Sequence, residues 1–192
     1  KATLSLLAPY ELPADRVVVV EPGTDRAPLA RGSRGGSQGT APLDFFCAAT
    51  LNPIKGHQML LEAFAANPHS GWRLTCAGSL TRDPATVQSV HTAIATLGLQ
   101  DRVSLVGELH DEALERCFDR SDVFVLATRQ ETYGMAVAEA LARGIPVVST
   151  RTGAIAELVN DEAGLVVPVD DRAALTSALA RIIGDNDLRR LV

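Results

Sequence analysis

Two glutamates and a lysine stand where the sequence passes from strand to helix, and their chemistry suits a charged sugar derivative. Glu131 lies in the turn between an apolar run at Val123–Leu126 and a helical stretch opened by Gly134. The first amides of that stretch, on Gly134, Met135, Ala136 and Val137, have no carbonyl one turn back to receive them, and Gly134 has no side chain to hold a ligand away. A helix start of this kind suits an anion, and phosphate in particular. Glu139, set among Ala and Leu further along, reads as facing a cleft, where a carboxylate accepts two hydrogen bonds from a vicinal diol such as a ribose. Lys55 follows another strand at a second such turn, Leu51-Asn-Pro-Ile-Lys-Gly-His, and would face the same phosphates. Together these groups could grip a sugar, a diphosphate and a ribose in order.

The elements that must position them follow from periodicity. Strands are predicted at 43–49, 72–78, 102–106, 123–126, 146–149 and 164–167, those at 123–126 and 146–149 as short continuous apolar runs of the kind buried inside a parallel sheet. Between them, helical spacing places Leu60, Leu61 and Phe64 on one helix, a second over 87–97, a third over 111–118, Val137 and Leu141 on a fourth, a short one at 155–159, and Leu175, Leu179 and Ile182 on the last, capped by Asp170. Gly144 supplies the stop of the fourth helix. Alternation every ~25–30 residues predicts an α/β fold with a doubly wound parallel sheet. In such sheets ligands bind outside the carboxyl ends of the strands, where both Lys55 and Glu131 fall.

At these residues the chain resembles a known family. Glu131, seven residues, then Glu139, with Tyr133-Gly134 after the first, Ala140-Leu141-Ala142 after the second and Gly144-Ile-Pro-Val-Val148 beyond, looks like the Glu-x7-Glu signature of retaining GT-B glycosyltransferases, family 4. Two glutamates at this spacing also occur on solvated helix faces; the flanking residues set this stretch apart. The resemblance implies a Rossmann-like domain, one half of a GT-B fold, binding a nucleotide-diphospho-sugar without a metal or other cofactor. It implies Glu131 as the catalytic contact to the donor sugar, and Lys55, Tyr133, Gly134, Met135, Ala136, Val137 and Glu139 as donor-binding residues. Val106 and Gly107 would hold a uracil, guanine or adenine base through backbone atoms. The family carries Arg-Leu-x-x-x-Lys-Gly at the Lys55 corner. Here Leu51, Lys55 and Gly56 match and Thr50 replaces the arginine, a loss of about 1.5–3 kcal/mol of charge-assisted contact. That departure motivates the alternative of a catalytically inactive nucleotide-binding domain with a regulatory or assembly role.

The resemblance runs from Pro22-Gly-Thr-Asp25, the family's passage between domains, to the end of the chain. Residues 1–21 then read as the end of an N-terminal domain and its linker, with a strand over 16–20, and 22–192 as the nucleotide-sugar-binding domain. The missing N-terminal half would bring the acceptor, so the chain reads as a fragment inactive alone. A Gly/Ser-rich stretch at 31–41 reads as a mobile loop whose two arginines are solvated and only within occasional reach of a phosphate.

Composition narrows the partners. The chain has 192 residues, 46% of them hydrophobic, and a net charge of -5, which disfavours a nucleic-acid groove and a broad contact with anionic membrane. Nothing in it reads as a signal peptide or a membrane span, and a cytoplasmic location is expected. Cys47, Cys76 and Cys117 are odd in number and far apart in sequence, and read as reduced core thiols, not as disulfides or zinc ligands. His57 adjoins the Lys55 corner, while His69, His91 and His110 read as turn or surface residues, none with a partner at metal spacing. Asp185-Asn-Asp187 has the form of an Asp-x-Asp metal motif, but follows a helix stop and reads as a cap for the next segment.

Overall fold

The computed structural model describes residues 7–33, 42–160 and 162–190. In chain order the elements are β1 Leu43–Ala48, α1 His57–Ala65, β2 Trp72–Ala77, α2 Pro84–Thr96, β3 Val103–Gly107, α3 Asp111–Arg120, β4 Val123–Leu126, α4 Met135–Leu141, β5 Val147–Thr150, α5 Ile155–Val159, β6 Gly164–Val167 and α6 Arg172–Gly184. The strands form one parallel sheet in the order β3-β2-β1-β4-β5-β6. This is the doubly wound, Rossmann-like arrangement, and its strand order reverses direction between β1 and β4.

The alternation of β1 shows how both layers are held. Phe45 meets Phe64 of α1 edge to face at 5.0 Å, and its neighbour Phe46 meets Phe118 of α3 in the same way at 5.1 Å. Successive side chains of a strand leave opposite faces, so α1 and α3 cover opposite sides of the sheet. Helix α1 also packs against α2 and α6, while α4 packs on β4, β5 and α5. Every residue of β4 and β5 is buried; β4 is apolar throughout, and in β5 the hydroxyls of Ser149 and Thr150 are satisfied by the Leu126 and Thr128 carbonyls.

Three expectations need correction. Residues 16–20 are not a strand: Val18 and Val20 are 81% and 83% exposed, and this β-branched run meets no strand edge among the described residues. The cap of α6 is Asp171, which accepts from Ala174 N at 2.8 Å; Asp170 adopts φ +59° and pairs with Arg129 instead. Residues 31–33 of the expected mobile loop are anchored at the amino ends of the strands. Arg31 pairs with Asp119, and Ser33 N donates to Asp122 Oδ1 at 2.9 Å. Arg31 is therefore far from the Lys55 edge, and the rest of that stretch, 34–41, lies outside the described residues.

Candidate functional site

The chain leaves β1 through Ala49-Thr50-Leu51 and turns at Asn52. The Asn52 side-chain oxygen accepts from Ile54 N at 3.0 Å and Lys55 N at 3.1 Å, closing a single 3-10 turn over Pro53–Lys55. Gly56 then reverses the chain into α1 at φ +67°, and a Cβ there would stand 2.0 Å from the Ala127 carbonyl oxygen. Only glycine lets the β1 corner press on the exit of β4 this closely. Backbone and side-chain bonds complete the seam: Arg129 N donates to Ile54 O at 2.7 Å, and the Arg129 guanidinium to Pro53 O at 3.0 Å and to Asp170 at 2.7 Å.

Across this seam Lys55 Nζ donates to Glu131 Oε2 at 2.6 Å, with the two side chains 23% and 17% exposed. Residues 76 apart in sequence thus meet at the point where the strand order reverses. Glu131 is held from behind as well. Gly153, after β5, adopts φ +58°, and a Cβ there would lie 2.0 Å from the Glu131 carbonyl oxygen. Ala154 N donates to Thr132 O at 3.2 Å. The exits of β1 and β5 therefore both lean on the exit of β4 through a glycine.

Helix α4 begins as the sequence suggests. Gly134 sits at its N-cap with φ +94°, no side chain caps the first turn, and Ala138 N is the first amide to bond back along the helix, at 2.9 Å to Gly134 O. The amides of Met135, Ala136 and Val137 are the ones left without a carbonyl one turn back. Gly134 and Val137 are buried, Tyr133 and Ala136 half-buried, and Met135 exposed. Glu139, two residues after Val137, is half-buried, and its carboxylate accepts no hydrogen bond among the described residues. Burial holds its carboxyl above the usual range; Arg143 pulls it down and Glu115 pushes it up. Arg143 is fixed by the Glu139 carbonyl, by Glu115 and by the Phe118 ring, which ties α4 to α3.

The third corner closes β3. Gly107 turns at φ +75°, and its carbonyl accepts from Gly78 N at 2.8 Å. The register slips between Cys76 and Ala77, so Ala77 faces Gly107 and Val106 bulges out, 42% exposed. The Val106 side chain lines a 350 Å³ cavity with Phe46, Leu109 and Ala113, beside the sheet face. Thr50 is half-buried against Gly78, where a Cβ would stand 2.8 Å from Thr50 N.

Sequence reasoning missed Arg129, whose role depends on Asp170, and the close contacts that Gly78 and Gly153 make between strands. It also missed one long-range group. His57 is buried, not merely adjacent to the Lys55 corner, and its Nε2 lies 3.9 Å from Cys47 Sγ; Cys76 completes the cluster. The histidine thus has sulfur partners that sequence spacing did not reveal. A hydrogen bond from Cys76, with His57 and Lys55 adding to it against burial, pulls Cys47 down to about 5, and Cys76 is pushed up. The histidines at 69, 91 and 110 are exposed as expected. Asp185 caps the following turn by accepting from Asp187 N and Leu188 N, both at 3.0 Å.

No helix among the described residues is long and apolar enough to cross a membrane. Comparison with known proteins agrees with the geometry. The family described as glycosyl transferases group 1 matches residues 42–185. D-inositol 3-phosphate glycosyltransferase of Corynebacterium efficiens is 28% identical over 193 residues, covering 94% of this chain and 46% of that protein. Lipopolysaccharide core biosynthesis mannosyltransferase LpsB of Rhizobium meliloti is 36% identical over 145 residues, covering 72% and 41%. The chain spans about half the length of the curated relatives it matches. Sucrose-phosphate synthase from Thermosynechococcus elongatus shares the fold with a TM-score of 0.70 and 28% identity, over 78% of this chain and 38% of that one. The C-terminal domain of a glycosyl transferase group 1 family protein from Francisella tularensis shares the fold with a TM-score of 0.72 at 23% identity, over 88% and 91%. With a family match over most of its length and the fold to go with it, this chain belongs to the glycosyl transferases group 1 family.

Proposed function

We propose that the chain is the donor-binding half of a retaining glycosyltransferase that moves a sugar from a nucleotide-diphospho-sugar to an acceptor held by a second domain, without a metal ion. The observation that carries this is the meeting of Lys55 and Glu131 at the strand-order reversal, beside an uncapped helix start and a half-buried Glu139 with open acceptor sites. Lys55 and the amides of Met135 to Val137 stabilise charge on the leaving diphosphate, the role a divalent ion would otherwise fill. Glu139 accepts from the ribose hydroxyls. Glu131 contacts the donor sugar as the catalytic residue.

The ion pair adds a step to this reading. A diphosphate draws the Lys55 ammonium away from Glu131, and Glu131 is thereby released to accept from the sugar hydroxyls. One lysine thus couples arrival of the phosphates to readiness of the carboxylate. Calorimetric titration with nucleoside diphosphates, with and without added magnesium or manganese, tests the proposal. Binding that needs no added metal and weakens in Lys55→Ala and Glu139→Ala is expected. Binding only with a divalent ion, or no binding, overturns it.

A further inference from the structure

Cys47, His57 and Cys76 form a buried group that the donor site does not use. Cys47 and Cys76 are Cα partners on the adjacent parallel strands β1 and β2, so their side chains leave the same face of the sheet. His57, the first residue of α1, covers that face. The three residues are 0%, 2% and 1% exposed in chain order. One ligand atom from each lies within 4.8 Å of the others, and Cys47 Sγ and His57 Nε2 are 3.9 Å apart. A cation bound about 2.3 Å from thiolate sulfur and about 2.0 Å from imidazole nitrogen sets its ligand atoms ~3.5–4 Å apart. The Cys47–His57 side has the required length, and the other two sides are no longer than 4.8 Å.

Without a cation the imidazole is poorly served. Its Nδ1 is buried with no hydrogen-bond partner, and a sulfur contact at 3.9 Å is weak exchange for the water it gave up. A metal–nitrogen bond at Nε2 replaces that weak sulfur contact and fixes the proton on Nδ1. Two sulfurs and one imidazole, with no oxygen ligand, select soft cations over magnesium or calcium.

We infer that Cys47, His57 and Cys76 bind one thiophilic d10 cation, zinc(II) or copper(I), which pins α1 to β1 and β2. Both sulfurs bind as thiolates, so loading removes any proton that either still carries. With zinc(II) the two thiolates are neutralised; with copper(I) one negative charge remains, on the side of the sheet where Lys55 leaves the 3-10 turn. His57 follows Lys55 and Gly56 directly, so the cation fixes the corner that presents the lysine without touching the donor. This inference stands apart from the proposed metal-free handling of the diphosphate, and each has its own readout.

The test is to produce the whole chain in zinc-supplemented medium, so that loading accompanies folding, and to purify it under reducing conditions without chelator. Elemental analysis should then find one zinc or copper per chain, the identity distinguishing the two. Cadmium(II) should exchange in to one equivalent and give the ultraviolet thiolate-to-cadmium charge-transfer band. The band and the bound metal should vanish in the apolar double variant Cys47→Ala/Cys76→Ala and persist in Cys117→Ser, whose cysteine lies outside the group. Circular dichroism verifies that the variants are folded; should the double variant not fold, His57→Leu replaces it, with a band weakened at least tenfold expected. A folded wild-type chain with no stoichiometric metal and no band at one equivalent overturns the inference, as does a band that survives loss of both cysteines.

Discussion

The two ends of the sheet are both rich in ion pairs, yet they differ in what their polar groups have left to offer. At the amino end Arg31 pairs with Asp119, Arg120 with Asp44 at 3.6 Å, and Asp122 accepts from Ser33 N and Asp44 N. Those groups satisfy one another and hold the segment before β1 in place. At the carboxyl end Lys55 and Glu131 also pair, but beside them stand the uncapped amides of α4 and the open acceptors of Glu139. Arg31 pulls Asp119 below the usual carboxylate range, whereas burial pushes Glu139 above it. Protonation does not divide the ends, since burial also raises the Asp44 carboxyl at the amino end. An ion pair by itself marks no site; unspent hydrogen-bonding capacity around it does.

Glycine substitutions should separate the two ends most strongly. Gly56 and Gly32 both have positive φ, but a Cβ on Gly56 meets the Ala127 backbone oxygen at 2.0 Å, while one on Gly32 meets the movable end of Asp122 at 2.8 Å. Gly56→Ala should therefore cost about 3 kcal/mol in a urea unfolding curve and Gly32→Ala about 1 kcal/mol. Equal costs would mean that the β1 and β4 exits are not pressed together as described.

Next in size is Lys55→Ala, which should weaken nucleoside diphosphate binding by about 1.5–3 kcal/mol, the scale of a charge-assisted hydrogen bond. Arg31→Ala should leave it unchanged. Calorimetry on both variants decides, and comparable losses would erase the distinction between the ends.

Glu139→Ala should cost ~1–3 kcal/mol in the same titration, for the lost ribose contacts. The carboxylate form is the acceptor, so affinity should also fall as pH is lowered through the raised Glu139 range, and Glu139→Gln should flatten that profile. Stability should move the other way. The folded chain binds this proton more readily than the unfolded one, so the charged carboxylate is unfavourable at neutral pH, and the penalty is relieved as pH falls through the folded value. Glu139→Gln should accordingly be no less stable than the wild type at neutral pH while binding nucleotide more weakly. A variant that lost stability and affinity together would point to a structural role.

The contrast between the ends was only partly legible in sequence. Val123–Leu126, Ile155–Val159 and Gly164–Val167 emerge where the sequence puts them, because a short apolar strand or helix declares itself locally. The turns at Lys55 and Glu131 were visible for the same reason, and Glu139 marks the helix that follows the second. Their direct pairing was not, since parallel strands meet through crossovers and leave no local trace of which corners touch. The register of Cys47 with Cys76 was hidden in the same way. Arg16–Val20 misled because β-branched residues report compatibility with a strand and not the presence of a neighbour. Asp170 and Asp171 are adjacent acids, and only the backbone angle of the first decides which one caps α6.

The smallest expected effect is the most discriminating one for the site. Glu131 stands in the turn before the helix, where a Cβ on Gly134 would lie 3.7 Å from its Cγ, and in the proposed arrangement it meets the sugar and not the nucleotide. Glu131→Ala should leave the affinity for a bare nucleoside diphosphate within about 0.5 kcal/mol of the wild type, on the tighter side, because Lys55 no longer has to leave a carboxylate to reach the phosphates. The change should be most evident at low salt, where the competing pair is least screened. In the whole enzyme the same substitution should depress kcat far more than it raises KM, as expected when the lost contact matters chiefly in the transition state. A Glu131→Ala variant that bound the bare nucleotide more weakly than Glu139→Ala would place the nucleotide at the wrong end of α4. The assignment of sugar to Glu131 and ribose to Glu139 would then have to be reversed.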